Sequence, residues 1–459
     1  MQLNSKKKSN YTEEGAKAKN ITPKQQLKRS VLACMLWENN FYEDGESIVE
    51  RIASLVPKVK PEDVKSLAIE ARTAMKLRHV PLLLVSEMAK HNTHKYLVKE
   101  TLVAVIQRAD ELAEFVAIYW KNGKTPLSAQ VKKGLAEAFK KFDEYQLAKY
   151  SKKGKVISLR DVIRLVHPKP DSKEQEELWG RLLNQELKTP DTWEVALSTC
   201  EDKKSEWERL LTENKLGGLA LLRNLRNFQR YDVNEGLVLD NIKSMKTDRI
   251  LPFRFISAAN YAPQWEQYLE EAMLKCLSSQ DQIPGHTVIL VDVSGSMGAP
   301  VSEKSDITRL DAACGVSMLL REICDKVDVF TFSMELAQVP GRRGFALKDA
   351  ICNSQERSGT LLGTAIKSIY APRDFEVKEM PFGTRTMRVN YKGQNLNPDR
   401  LIIITDEQSH DSVPDPEGKA YMINVASNKN GVGYGSYTHI DGWSEAVVNY
   451  IREMERGLA

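Results

Sequence analysis

Cysteine is sparse and unpaired in this sequence. Six cysteines (Cys34, Cys200, Cys276, Cys314, Cys324 and Cys352) are scattered over 459 residues, with no CxxC spacing among them. That leaves no cysteine metal motif, and it fits buried free thiols in a reducing cytoplasm. Long apolar runs are also missing: none approaches the ~20 residues that span a bilayer. The opening "MQLNSKKKSN" has lysines with no apolar segment behind them, which excludes a signal peptide and reads as a flexible basic tail over residues 1–20. Net charge is small as well, formally +4, too little by itself to mark a nucleic-acid binder. What is present is the composition of a soluble globular protein, 42% hydrophobic and 28% charged, long enough for two to four domains.

Strand patterns are nearly absent before residue 283. "PEDVKSLAIEARTAMKL" (61–77) begins with proline and acids, ends with basic residues, and repeats apolar side chains at three- and four-residue steps. "KYLVKETLVAVIQ", "ADELAEFVAIYWKNG" and "GGLALLRNLRNF" behave alike, which predicts paired helices joined by short loops over 21–283. No clean repeat is visible, so a helical solenoid here is degenerate. From about 284 the period changes. "TVILVDV", "KVDVFTFS", "LIIITD" and "AYMINVAS" are strand-like and alternate with helix-like "LDAACGVSMLLREIC" and "WSEAVVNYIREMERG". The expected fold is therefore a mainly α N-terminal domain followed by an α/β domain over 284–459, with a mostly parallel, Rossmann-like sheet. Residues 375–399 read as an inserted hairpin or loop.

In such sheets, function collects at the C-terminal ends of strands. The first strand ends in Asp292-Val-Ser294-Gly-Ser296, the loop "RSGTLLGTAI" brings Thr360 to a helix start, and "LIIITD" ends in Asp406. Two carboxylates and three hydroxyls suit a hard divalent cation such as Mg²⁺, which takes oxygen ligands and keeps waters. Simple helix capping by the serines is the bland alternative. A hydrolase is the other: Ser296, Asp406 and His439 follow in nucleophile-elbow order, though Ser294 replaces the elbow's first glycine and His439 reads as a loop residue.

"VDVSGSM", the "SGT" loop and "IIITD" resemble the metal-ion-dependent adhesion site of von Willebrand factor A domains. The resemblance implies a cation held by Asp292, Ser294 and Ser296, with Thr360 and Asp406 binding directly or through water. It also implies an open position for a partner's carboxylate, so the site binds and does not catalyse. Leu361 stands where related sites carry an acid.

The segment 132–169 holds eleven Lys or Arg against four Asp or Glu, a formal +7 beside +4 for the whole chain. It contains Lys140, Lys141, Lys149, Lys152, Lys153, Arg164 and His167, interleaved with Phe139, Phe142, Tyr145 and Tyr150. Cations neutralise phosphates and aromatic faces stack unpaired bases, although Phe139 and Phe142 at helical spacing equally suit a core. "LALLRNLRNF" (219–228), "ILPFRFISAANYA" (250–262) and "LRDVIRLVHPKP" (159–170) resemble segments of the Ro autoantigen, or TROVE-domain, family, which places an A domain directly after its helical domain. This resemblance implies a monomeric ring of HEAT-like helix pairs that binds Y-like small noncoding RNA on a basic outer surface, through Lys149, Lys152, Lys153, Arg164 and His167. It further implies entry of single-stranded 3′ ends of misfolded noncoding RNA. The expected function is a cytoplasmic, non-enzymatic scaffold or chaperone in RNA quality control, in which an exoribonuclease or other protein joins through RNA or the metal site. The alternative is an adhesion or assembly protein that docks a protein carboxylate through its metal.

Overall fold

The computed structural model describes the chain except residues 1–11, 13–14, 18–19, 33–44, 152–155, 248–249, 251, 276–281, 302–304, 372–374, 378–384, 391–395, 427–430, 434, 444 and 456–459. It divides into two compact units. One comprises residues 49–216 and 231–234, and the other 1–48, 217–230 and 235–459.

The first unit is helical. Helices Pro61–Thr73, His79–Lys90, Val98–Val105, Ala109–Tyr119, Ala129–Phe139 and Leu159–Val166 pack against neighbours and against the next helix but one, the habit of stacked helix pairs. Gly134 permits a close approach between two of them, since a Cβ there would lie 3.1 Å from Leu102 and 3.2 Å from the Lys99 Cα. Phe139 is fully buried and meets Trp179 edge-on at 5.7 Å, and Phe142 is buried too. Their helical spacing therefore reflects core packing, which removes both from the candidate base-stacking set. A buried ion pair crosses the same core. Arg72 Nη2 donates to Glu111 Oε1 at 2.6 Å, while Glu111 Oε2 accepts the amides of Gln107 and Arg108 at 2.8 and 3.0 Å.

The second unit is built on a sheet. Its strands are β1 (Ile283–Asp292), β2 (Cys324–Phe332), β3 (Glu335–Val339), β4 (Phe375–Val377), β5 (Arg385–Asn390), β6 (Arg400–Thr405), β7 (Lys419–Asn424) and β8 (Thr438–Asp441). They run in the order β4-β5-β3-β2-β1-β6-β7-β8. The contacts β2-β1-β6-β7-β8 are all parallel, whereas β2–β3 and β4–β5 are antiparallel. The expected hairpin within 375–399 is the β4–β5 pair. β1 and β6 read as near-continuous apolar runs because both of their faces are covered. From β1 the chain crosses to β2 on one side, and β6 pairs on the other, so a topological switch point lies between the ends of β1 and β6.

The helices from Gly218 to Lys275 pack in this same unit, although their periodicity matches the helical half. Gly344 shows how closely. It has φ +56°, a Cβ on it would fall 1.7 Å from Glu270 Oε1, and that carboxylate accepts the Phe345 amide at 2.6 Å. Tyr261 likewise donates its hydroxyl to Asp306 at 2.5 Å.

The N-terminal residues that the structure describes also belong here. Thr12 and Ala16, within the segment read as a basic tail, are buried. Thr12 Oγ1 and the Ala16 amide both donate to the Ser409 carbonyl, at 2.8 and 3.0 Å. Helix Pro23–Leu32 follows, and it buries Arg29 completely.

Candidate metal centre and nucleic-acid interface

All five oxygen side chains expected at the metal site are buried in the sheet unit. Asp292 ends β1. Its Oδ1 accepts the Ser294 amide at 2.9 Å and its Oδ2 accepts the Thr405 hydroxyl at 2.6 Å. Ser294 Oγ and Ser296 Oγ stand 3.3 Å apart. The Gly295 amide donates to the Ser358 carbonyl at 2.9 Å, which ties the serine turn to the loop that carries Thr360. Thr360 is in turn held by the segment after β6: its amide donates to His410 Nδ1 at 3.1 Å and its carbonyl accepts the His410 amide at 2.9 Å. Asp406 follows β6, with Oδ1 accepting the Gln408 amide at 3.2 Å and Oδ2 facing Arg309 Nη1 at 3.0 Å.

Burial, reinforced by the negative charge of Asp406, pushes the Asp292 carboxyl up to about 7. A divalent cation would relieve that repulsion, and hydroxyl donors beside two carboxylates are hard-cation chemistry. The residues thus fit the ion. Asp292, Ser294 and Ser296 would hold it, with Thr360 and Asp406 completing the donor set. No group of three or more His, Cys, Asp or Glu gathers for a metal among the described residues, so any site here depends on its hydroxyls. Leu361 is wholly buried among Leu336, Leu362 and Met387, which makes the position a core position in this chain.

The triad arrangement is not what the structure brings together. His439 lies on β8, not in a loop, and its Nε2 bonds Glu407 while its Nδ1 sits 3.5 Å from Asp441. Burial alone would lower its pKa, but Glu407 and Asp441 outweigh burial and hold it up at about 9. Glu407 also faces Arg29, with Nη1 2.9 Å from Oε1 and both side chains fully buried. Despite the cost of its burial, the charges of Arg29 and His439 keep Glu407 ionised well below the usual carboxylate range. Sequence reasoning missed Arg29, Arg309 and Glu407.

In the helical unit, Ser158 caps helix Leu159–Val166. Its Oγ accepts the Asp161 amide at 3.2 Å, and Asp161 Oδ2 returns to the Ser158 amide at 2.8 Å. Arg164 and His167 are both exposed at the end of this helix, where His167 takes the left-handed capping conformation, φ +46°. A cation in a last turn suits the helix dipole. Lys149 is half-buried with its ammonium 5.9 Å from the Tyr150 ring, over which Arg108 also lies at 5.0 Å. Tyr145 is half exposed. Lys140 is committed to Asp171 at 2.6 Å. Lys141 donates to the carbonyls of Val103 and Ile106 and so caps helix Val98–Val105. Both lysines therefore have structural partners inside the protein. Lys152 and Lys153 lie outside the described residues.

The family model described as the TROVE domain matches residues 5–186 and 184–326, well over half of the chain. The chain belongs to the TROVE-domain family. The second match runs through β1, the serine turn and the helix that begins at Arg309. Telomerase protein component 1 of Mus musculus is 34% identical over 110 residues, and that of Rattus norvegicus is 33% identical over 110. Each match covers 23% of this chain and 4% of the relative, so the TROVE-domain chain spans only a small fraction of those proteins. The crystal structure of the Ro (Rsr) protein of Deinococcus radiodurans has the same fold, with a TM-score of 0.61 at 17% identity, over 95% of this chain and all of that one. Among the described residues, no helix is long and apolar enough to cross a membrane.

Proposed function

We propose that this TROVE-domain protein is a cytoplasmic scaffold or chaperone that binds Y-like small structured RNA and the single-stranded 3′ ends of misfolded noncoding RNA. The observation that carries the reading is the exposed pair Arg164 and His167, on a well-capped helix in the most basic segment of the chain. An outward-facing cation on a rigid helix end is placed for phosphate, and phosphate contacts dominate RNA affinity. Replacing Lys149, Arg164 and His167 together by alanine should flatten the slope of log affinity against log salt. Every phosphate that is no longer neutralised should take about 0.7–0.9 off that slope. An unchanged slope, read by fluorescence anisotropy with a small hairpin RNA, would move the footprint elsewhere.

A second surface supports the single-strand mode. Arg226, exposed on helix Gly218–Arg230, holds its guanidinium 5.4 Å from the Tyr261 ring, itself 42% exposed. Such a ring with a cation beside it is the kind of platform on which unpaired bases stack. A hairpin bearing a single-stranded 3′ tail should therefore bind more tightly than the bare hairpin, and Tyr261→Ala with Arg226→Ala should erase that difference by about 1–3 kcal/mol per stacked base. Equal affinity for the two RNAs in the parent protein would sink the quality-control reading.

The buried carboxylate and hydroxyl cluster would add a Mg²⁺-dependent docking point for a partner carboxylate, through which an exoribonuclease or another protein joins. It binds and orients, and no chemical step is assigned to it. An adhesion or assembly role without RNA is the competing reading, and absence of copurifying RNA would favour it.

A further inference from the structure

Arg309 is a buried cation set against a proposed cation ligand. It opens helix Arg309–Ile323, directly after the Thr308 cap, where the backbone path is fixed by a reciprocal bond with Asp311. Its side chain is 2% exposed, and Nη1 stands 3.0 Å from Oδ2 of the wholly buried Asp406. Glu407, the next residue, has a separate arginine, Arg29. Asp292, by contrast, accepts from an amide and a hydroxyl. The two acids at the end of β6 are thus each answered by an internal arginine, while the acid at the end of β1 is answered by neutral donors.

We propose that Arg309 is an internal competitor for the divalent cation, and that it makes metal occupancy conditional on an anion supplied from outside. The inference rests on the metal reading above and follows from charge. Asp292 and Asp406 together with Arg309 carry −1 when both acids are ionised. A divalent ion turns that into +1, an uncompensated charge in a buried site, which is costly. A carboxylate brought to the ion by a partner restores neutrality. Without Arg309, the two acids and the ion are neutral by themselves and need no partner. Arg309 therefore converts a simple metal site into one that retains its ion only when the partner's acid arrives with it.

Mn²⁺ binding, read by electron paramagnetic resonance of the free ion, tests this on the full chain. Arg309→Met should tighten Mn²⁺ by about tenfold or more, the effect of removing one like charge from close range. Arg309→Lys, which keeps the charge, should stay near the parent. Acetate at constant ionic strength should tighten Mn²⁺ on the parent and leave Arg309→Met unchanged. That acetate response needs no variant, so it decides the matter even if Arg309→Met does not fold. A folded Arg309→Met that binds no tighter than the parent overturns the inference, and so does a parent indifferent to acetate. If the parent in acetate binds no more Mn²⁺ than Asp292→Ala in acetate, the metal reading itself falls and the inference with it. If the parent binds and Asp292→Ala does not, the metal reading stands whatever the Arg309 result.

Discussion

Arg29→Ala is expected to cost about 3–5 kcal/mol of stability in the sheet unit, because it strands a buried carboxylate. Arg29 and Glu407 are both fully buried at 2.9 Å, so the acid left behind by the substitution is held away from bulk solvent, with the Gly433 amide still donating to its Oε2 at 2.6 Å. His439 remains opposite Glu407 and moderates the loss while it is protonated. The folded pKa of His439 is raised to about 9 from an unfolded value near 6.5. Its contribution is therefore complete below the unfolded value and disappears as pH rises through about 9. The variant should accordingly lose more at pH 9 than at pH 6.5. Urea denaturation at the two pH values checks this, and a loss under about 1 kcal/mol at both would remove Arg29 from any structural role. Arg29→Leu combined with Glu407→Leu should recover most of the stability, since replacing both partners of a buried pair is often nearly neutral.

In acetate buffer, which supplies the external carboxylate, Asp292→Ala should abolish all thermal stabilisation by Mg²⁺. A ligand at about 100 times its Kd stabilises the folded state by roughly 2.7 kcal/mol, and that whole increment should vanish. Without metal the variant should be at least as stable as the parent, because burial and Asp406 already hold the Asp292 carboxyl up at about 7. Calorimetry with Mg²⁺ and with EDTA gives both numbers. A variant whose melting temperature still rises with Mg²⁺ would place the ion elsewhere.

The cluster of carboxylates and hydroxyls was legible because each of its parts is local. A strand that ends in Asp-x-Ser-x-Ser and another that ends in Asp announce themselves once both lie in a parallel sheet, and β1 and β6 do lie side by side. Illegible features share a different cause. The helices between Gly218 and Lys275 have ordinary helical periodicity, and a periodicity names the buried face of a helix but not what covers it. Glu270 and Phe345 illustrate this, 75 residues apart and in hydrogen bond. β8 is four residues long, too short to show alternation, which left His439 looking like part of a loop. Lys140 and Lys141 counted fully toward the basic segment, yet one is spent on Asp171 and the other on backbone carbonyls. Charge counts do not distinguish a cation facing solvent from one capping a neighbouring helix.

The bond from Thr12 to Ser409 spans 397 residues, and its consequence concerns the order of events during synthesis. At about 5–20 residues per second, roughly 20–80 s separate the emergence of those two positions from the ribosome. The helical unit lies entirely between them and is complete before Ser409 exists. The earliest-made segment of the sheet unit must therefore wait, undocked, for some of the last-made. Arg29 spends the same interval without Glu407. Pairings this distant along the chain close slowly, so the end of β6 is finished only when nascent-chain growth is nearly over.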